Sequence, residues 1–359
     1  MDTSNNATPK KSEYVPSLDG VRGYAVLLVL LVHGANRFCK GGWIGVDLFF
    51  VISGYLITSL LIGEYEKHHT ISLKKFYARR FLRLFPVLIA GILLANILWN
   101  YSGFTPEGRI KATLSALFYY INFQQDTYSN LRHLWSLAVE EHFYMFWPLT
   151  CLYFLFRIDY KKKLWFVIGV LLAVTAFRLY LSYFPIDWGW LHMDSYRSTF
   201  SRIDCILLGV IMAIVFAEAK KRNRHFIRHQ NDNALLIIYV SLFMAVLFWV
   251  RDTSVYLLSG GFILTNLLCG FAVLFAVQHP EHSFFSNKTI GWIGRRSYGI
   301  YVYHYPIFFL FNFKNGGHDI KSYVLITLLR LGLTFIIAAL SFKYIEQPVL
   351  NYKKRFEVN

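Results

Sequence analysis

The sequence predicts an all-α integral-membrane protein, a polytopic bundle of about ten transmembrane helices with the N- and C-termini in the cytoplasm. Of the 359 residues, 55% are hydrophobic and only 16% are charged, whereas soluble domains carry about 25% charged residues. Apolar stretches near the length that crosses a bilayer recur along the whole chain. Lys and Arg residues form short clusters between these stretches, which is typical of a membrane protein and argues against a nucleic-acid-binding face.

The apolar stretches place ten spans and their orientation. The spans lie at about 18–37, 43–62, 84–100, 136–157, 164–184, 200–218, 234–250, 257–277, 298–313 and 322–343. The segment 110–122 is too short to cross and is expected to lie at the interface or to re-enter. With the N-terminus inside, 25 Lys and Arg residues fall on the cytoplasmic side and 10 on the other. This bias follows the positive-inside rule, and it would collapse if 110–122 crossed.

One membrane domain is expected over residues 17–345. Residues 1–16 are polar and lack the apolar core and cleavage site of a signal peptide, so they are predicted to be a disordered cytoplasmic tail. Residues 346–359 are predicted to be a short basic cytoplasmic tail. The four cysteines have no CxxC spacing, so neither a metal site nor a disulfide framework is predicted.

Ionisable residues inside apolar spans are costly to insert, so each needs an explanation. Arg22 and His33 share one face of the first span, about 16–17 Å apart along the axis. Asp47 lies near the outer start of the second span, at a depth similar to that of His33. We therefore predict that the Asp47 carboxylate orients the His33 imidazole. The alternative is structural: His33 bonds a backbone carbonyl, and Asp47 caps a helix or pairs with an arginine.

The segment KKFYARRFLRLFP, interpreted as the loop before the third span, contains Arg79, Arg80 and Arg83. Arg79 and Arg83 share a helix face at i,i+4. Positive charge that orients the chain in the membrane explains part of this cluster. The preference for Arg is explained better by phosphate binding, because the guanidinium fork suits phosphate oxygens.

Further polar residues lie at predicted membrane depth. They are Glu140, Glu141, Arg202, Asp204 and His304. Arg202 and Asp204 are two positions apart, so their side chains diverge on a helix and each is expected to pair elsewhere, as a structural ion pair between helices. His304 lies among tyrosines, where it is either a core histidine bonded to a tyrosine hydroxyl or a residue with a direct role.

Segments along nearly the whole chain, from about Ser17 to Pro348, resemble the motifs of a known family. They are SLDGVRGYAVLLVLLVH, GWIGVDLFFVISGYLI, RRFLRLFP, HLWSLAVEEHFYMFWP and the closing pair SYGIYVYHYPI and YIEQP. The family is that of the acyltransferase family 3 integral-membrane enzymes, typified by bacterial polysaccharide and O-antigen O-acetyltransferases. The sequence departs from the family in reading His142 where Gln is usual, and SRIDCILLG where an Arg-x-Asp-Ala block is usual. Both departures lie where acceptor choice could be set.

The resemblance implies a membrane O-acyltransferase of the cytoplasmic (inner) membrane, with acetyl-CoA or a related acyl-CoA as cytoplasmic donor and no metal. The acceptor would be a hydroxyl of a cell-envelope glycan, such as the O-antigen of lipopolysaccharide, another surface polysaccharide or its lipid-linked precursor. Some members carry a fused extracytoplasmic esterase-like domain. Only a short tail follows residue 345 here, so the chain would be the stand-alone form.

The resemblance and the residue patterns together assign roles. The CoA phosphates would be bound by Arg22, Arg79, Arg80 and Arg83. His33, oriented by Asp47, would take the proton of the sugar hydroxyl as it attacks the thioester. A transient acyl-histidine is the alternative route.

Two other classes share part of the pattern. A secondary transporter or glycan flippase also needs intramembrane charges, but no inverted repeat is visible and the arginines cluster at one mouth. An acyltransferase that modifies a small molecule, such as an antibiotic or a sterol, would have the same signature. The expected partners are acyl-CoA, the acceptor and membrane lipids, with no nucleic acid.

Overall fold

The structure is a computed structural model. It describes residues 15–35, 39–99, 105–125, 129–189, 191–222, 232–249, 261–310 and 320–353. In this part of the chain the fold is helical apart from one two-stranded hairpin. The predicted tail 1–16 falls almost entirely outside the described residues, as do the ends of several predicted spans, such as 257–260 and 311–313.

The helices and strands follow one another along the chain with short connections. They are α1 (Pro16–Gly34), α2 (Ile44–His68), α3 (Leu73–Ile97), α4 (Pro106–Leu117), α5 (Trp135–Tyr153), α6 (Tyr160–Tyr183), β1 (Ile186–Asp187), β2 (His192–Met193), α7 (Thr199–Lys221), α8 (Asp232–Trp249), α9 (Gly261–Gln278), α10 (Ser283–Ser286), α11 (Lys288–Arg295), α12 (Ser297–Leu310), α13 (Ile320–Ser341) and α14 (Gln347–Lys353). β1 and β2 pair antiparallel. A π turn, Phe342–Glu346, joins α13 to α14 without a break in the helix.

Seven helical stretches of the described chain are long and apolar enough to cross a membrane. They are Pro16–Gly34, Lys40–His68, Leu73–Ile97, Tyr160–Tyr183, Thr199–Lys221, Gly261–Gln278 and Ile320–Tyr352. The other three predicted spans coincide with α5, which carries two glutamates, with α8, whose apolar stretch is shorter, and with α12, which ends where the description stops. The prediction of an all-α polytopic membrane protein is confirmed.

The third span begins at Leu73, earlier than the predicted residue 84. The segment interpreted as a loop is helical, because its arginines alternate with apolar residues such as the buried Phe76, and Pro86 lies inside the helix. The segment 110–122 forms the end of the 12-residue α4 and a short turn after it. At 1.5 Å per residue α4 is about 18 Å long and does not cross. It packs on the end of α3, where the Arg109 side chain donates to Asn96 at 2.8 Å.

Helices α2 and α7 run in the same direction and touch through their backbones. A Cβ atom on Gly54 would lie 1.9 Å from the Ile206 carbonyl oxygen, and one on Gly209 would lie 2.1 Å from that of Val51. Only glycine fits such an approach, and small residues are what let membrane helices pack closely. Each glycine lies two turns after a charged residue of the site described below.

The bundle has two ends that differ in charge. We call the end where α1 begins and α2 and α7 finish the basic end. There Lys221 forms an ion pair with Glu66 at 2.7 Å, and Ser17 bonds the Ala276 carbonyl oxygen at 2.6 Å. The hairpin β1–β2 and the last turn of α1 lie at the opposite end. Residues 347–353 of the predicted C-terminal tail are helical, and 354–359 lie outside the described residues.

Candidate active site

Three histidines from three parts of the chain meet near the opposite end of the bundle. His33 ends α1, His304 lies inside α12, and His133 lies in the turn before α5. We call them the histidine cluster. The Nδ1 atom of His33 lies 3.0 Å from the Nε2 atom of His304, and the ring centres of His133 and His304 are 5.1 Å apart. His133 and His304 are buried, whereas His33 is exposed.

The hydrogen bonds of the cluster determine which ring nitrogens carry protons. His304 Nδ1 lies 2.6 Å from the carbonyl oxygen of Tyr301, which can only accept, so Nδ1 donates. In a neutral ring His304 Nε2 then accepts, and His33 Nδ1 must be its donor. His33 Nε2 is left with a lone pair at the exposed side of the cluster. A histidine held in this tautomer is poised to act as a base.

The predicted contact between Asp47 and His33 is wrong. Asp47 is fully buried and forms an ion pair with Arg202 of α7. The two residues were placed at a similar depth on neighbouring helices, but depth does not set the direction of a side chain. Asp47 faces α7, whereas His33 faces α12. His304 therefore makes the contact to His33 that was assigned to Asp47.

The Asp47–Arg202 pair belongs to a buried polar network. Asp204 pairs with Arg178 of α6 and accepts from Asn266 of α9 at 2.8 Å. Aromatic rings surround the Arg202 guanidinium, the nearest being Phe262, whose ring centre is 4.6 Å away. Arg202 and Asp204 thus pair with different helices, as predicted. Arg178 was missed, although an arginine inside an apolar run is itself a signal.

A cavity opens between α1, α2, α3, α5 and α12. Its lining residues are Arg22, Val46, Phe49, Phe50, Ser53, Arg80, Arg83, Leu84, Ser136, Leu137, Glu140, Tyr144, Ser297, Tyr298 and Tyr301. The arginines come from the first half of α1 and from α3, nearer the basic end, and Ser136 and Tyr301 lie towards the histidine cluster. The cavity therefore extends from a group of cations towards the cluster.

Three of the four arginines predicted to bind phosphate line this cavity. Arg22 also lies 3.4 Å from Asp19, and Arg80 stacks over the Tyr144 ring at 4.8 Å. Arg80 and Arg83 form no ion pair with a described residue. Arg79 differs, because it contacts Glu64 at 3.4 Å and does not line the cavity. The face that α3 turns to the cavity is the i,i+3 pair, not the predicted i,i+4 pair.

Glu140 forms part of the cavity wall and is held by hydroxyl groups. Ser53 donates to its carboxylate at 2.8 Å, and the Tyr144 hydroxyl donates to Ser53 at 2.9 Å. Glu141 is half-buried and does not line the cavity. His142, which stands where the family usually has Gln, contacts the Thr199 hydroxyl of α7 at 2.7 Å. Of this run, Glu140 alone belongs to the cavity.

Tyr301 separates the cavity from the histidine cluster. Its hydroxyl donates to the backbone carbonyl of His133 at 2.7 Å, and so accepts from Ser136 at 2.6 Å. Its ring centre lies 5.5 Å from that of His304. His133, Ser136 and Tyr301 were not singled out from the sequence. A signal existed, since His133, Ser136 and Glu140 follow the i,i+3,i+7 spacing of one helix face.

The cluster is not arranged as a metal site. Among the residues that the structure describes, no group of three or more His, Cys, Asp or Glu side chains is placed to hold a metal ion. The hydrogen bond between His33 and His304 instead uses one nitrogen of each ring for the other. The site is therefore suited to proton transfer.

Comparison with known proteins identifies the family. A putative O-acetyltransferase of Staphylococcus aureus (strain COL) is 33% identical over 94% of this chain and 58% of the relative. The peptidoglycan O-acetyltransferase OatA of Listeria monocytogenes is 34% identical over 96% of this chain and 58% of the relative. OatA of Staphylococcus aureus (strain NCTC 8325) is 34% identical over 97% and 60%. The chain thus spans less than two thirds of the length of these relatives, and no solved structure matches it.

The family model described as an acyltransferase domain matches residues 15–342, which include the histidine cluster, the cavity arginines and the buried polar network. The chain therefore belongs to the acyltransferase family 3 of membrane proteins.

Proposed function

We propose that the chain transfers an acetyl group from acetyl-CoA to a hydroxyl of a cell-envelope glycan. It would lie in the cytoplasmic membrane with its basic end inside, so that donor and acceptor approach from opposite ends. The observation that carries this proposal is the cavity, whose lining includes Arg22, Arg80 and Arg83 at one end and Tyr301 at the other. Tyr301 touches the histidine cluster.

The three arginines supply the chemistry that a CoA donor needs. Guanidinium groups bind phosphate oxygens through paired hydrogen bonds, and Arg80 and Arg83 form no ion pair with a described residue. The cavity has a volume of about 70 Å³, well below the 300–1,000 Å³ typical of sites that enclose a ligand. It fits a narrow chain such as the pantetheine arm, with the nucleotide held at the basic mouth.

His33 supplies the base. A sugar hydroxyl does not ionise at neutral pH, so its attack on a thioester needs a positioned base. The hydroxyl oxygen bonds to the thioester carbonyl carbon while His33 Nε2 takes the proton, and the carbon–sulfur bond then breaks. The proton passes from His33 to the leaving thiolate, so the products are an acetyl ester and CoA thiol. His304, bonded to Nδ1, stabilises the imidazolium, as the aspartate of a Ser-His-Asp triad does.

The acceptor is assigned by class. His33 is exposed near the end opposite the arginines, which suits a large acceptor that stays outside the bundle. The name of the Listeria relative says that it acetylates peptidoglycan, and this favours peptidoglycan over the O-antigen among envelope glycans. The resemblance is to polysaccharide O-acetyltransferases in general, so another surface polysaccharide or its lipid-linked precursor is the second choice.

The decisive experiment measures CoA thiol release and acetyl ester formation together. Protein in lipid nanodiscs is given acetyl-CoA and a solubilised peptidoglycan strand, and we expect thiol release that depends on the glycan and equals the ester formed. Movement of glycan across a vesicle membrane without thiol release would instead identify a flippase. Acetylation of a small molecule with none on any glycan would assign the alternative acceptor class.

The arginines that line the cavity should affect donor binding, and Arg79 should not. Arg80→Ala and Arg83→Ala each remove hydrogen bonds to a charged group, worth about 1.5–3 kcal/mol, so the KM for acetyl-CoA should rise about 10- to 100-fold. Arg79→Ala is the matched control on the same helix, because Arg79 contacts Glu64 instead. Steady-state kinetics at varied acetyl-CoA checks this. Equal effects at all three positions would mean that the cluster acts only through its positive charge.

A further inference from the structure

His133 carries an unused hydrogen-bond acceptor inside the histidine cluster. Its side chain is 3% exposed. Its Nε2 atom lies 3.1 Å from the carbonyl oxygen of Val302, which can only accept, so Nε2 holds the proton of the neutral ring. The Nδ1 atom is then a lone-pair acceptor, and it has no hydrogen-bond partner among the described residues. Buried polar groups are nearly always paired, so this vacancy needs a reason.

The position of His133 suggests what fills the vacancy. On one side its backbone carbonyl and ring touch Tyr301, which lines the cavity, with ring centres 5.4 Å apart. On the other side its ring stacks on Tyr305 at 4.9 Å, and the edge of Tyr305 meets His33 at 5.0 Å. A chain that passes from the cavity to His33 therefore runs past His133.

We propose that His133 Nδ1 accepts a hydrogen bond from the secondary amide N–H that lies nearest the thioester in the pantetheine arm. This inference rests on the proposed acetyl-CoA donor. With the thioester carbonyl at His33, that amide lies two methylene groups behind the sulfur, on the side of the cavity. It is the nearest donor group to the thioester, whose own sulfur and oxygen only accept. The glycan hydroxyls approach the exposed His33 instead, and the reacting one gives its proton to Nε2.

In this role His133 is a positioning residue that fixes how far the acetyl group advances. A hydrogen bond to the amide stops the arm when the thioester carbon reaches the acceptor hydroxyl. Such positioning is an established route to rate enhancement, because a displacement of about 1 Å costs around 100-fold in rate.

The test compares two donors that differ in one group. The first is acetyl-CoA, and the second is its analogue in which the amide N–H nearest the sulfur is replaced by an ester oxygen. A buried acceptor left unpaired discriminates strongly against an analogue that lacks the donor, so wild-type kcat/KM should be about 10- to 100-fold higher with acetyl-CoA. Equal use of both donors by the wild-type protein overturns the inference. No use of acetyl-CoA at all overturns the proposed function instead.

Two substitutions separate donor positioning from a structural role. His133→Gln places an amide N–H near the Nε2 position, so the bond to Val302 is kept while the Nδ1 acceptor is lost, and the ratio between the donors should fall to near one. His133→Asn places a carbonyl oxygen near the Nδ1 position and should keep a ratio above that of the Gln variant. His142→Gln, on the same chain segment but bonded to Thr199, should keep the wild-type ratio. A His133→Gln protein with the wild-type ratio contradicts the proposal.

Discussion

Replacement of His33 by alanine should abolish acetyl transfer, while His304→Ala should leave a measurable rate. Loss of His33 removes the base itself, and its exposed Nε2 has no substitute at the surface of the cluster. Loss of His304 leaves the base but removes the contact at 3.0 Å that holds its tautomer. By analogy with the orienting residue of a catalytic triad, that loss should cost about 10²–10⁴-fold in kcat. Turnover of acetyl-CoA by purified variants, measured as thiol release, gives both values.

Two controls make the His33 result specific. The His33→Ala protein should bind acetyl-CoA normally, because the arginines that line the cavity are intact, and binding can be measured with a non-hydrolysable thioether analogue. The His33→Ala, His304→Ala double variant should be no slower than His33→Ala alone, since residues that act as one unit are strongly non-additive. Robust transfer by purified His33→Ala protein would exclude the mechanism. A His304→Ala protein with wild-type turnover would keep the base and remove His304 from the mechanism.

Replacement of Arg202 by methionine should destabilise the folded protein more than any substitution on the surface. Both side chains of the Arg202–Asp47 pair are 0% exposed, so the change leaves a buried carboxylate without its cation. Breaking a buried pair from one side costs about 3–5 kcal/mol, whereas replacing both partners by apolar residues is often neutral. The Asp47→Leu, Arg202→Met double variant should therefore recover most of the lost stability. Thermal unfolding in detergent, followed by intrinsic fluorescence, measures each variant.

The exposed ion pair at the basic end provides the comparison. The Lys221 and Glu66 side chains are 59% and 46% exposed, and exposed pairs contribute about 0–1 kcal/mol, so Lys221→Met should unfold within a few degrees of the wild type. Activity adds a second test, because a stable double variant should still transfer acetyl groups if Asp47 only holds helices together. A folded double variant without activity would return Asp47 to the catalytic residues.

The depth of each polar residue could be predicted from the sequence, but its partner could not. Hydropathy gave the spans closely, since each predicted span overlaps a described helix. Arg22, Arg80, Arg83 and His33 were found because charge inside apolar sequence is costly. The partner of Asp47 depends on the rotation of α2 about its axis, which the contact between Gly54 and α7 determines. That contact joins residues far apart in the chain, which no local pattern records.

His133 was missed for a different reason. It lies just before the predicted span at 136–157, so the cost of burying an ionisable group inside a span did not apply to it. The structure buries it because the turn before α5 packs on α12, where its ring bonds the Val302 carbonyl oxygen. A search for intramembrane charge therefore finds residues on helices and overlooks those on turns that enter the bundle from its ends.

The unbroken helix at the end of the chain bears on how the protein sits in the bilayer. Its 33 residues, Ile320–Tyr352, extend about 50 Å at 1.5 Å per residue, which exceeds a hydrocarbon layer of about 30 Å. Such hydrophobic mismatch is relieved by tilt or by running into the headgroup layer, and the largely exposed Tyr344 and Tyr352 are residues that anchor at that layer. Because α13 packs along α12, these anchors set how far His304 lies below the outer surface. A thicker or thinner membrane would then change the reach that a glycan needs, with no change inside the bundle.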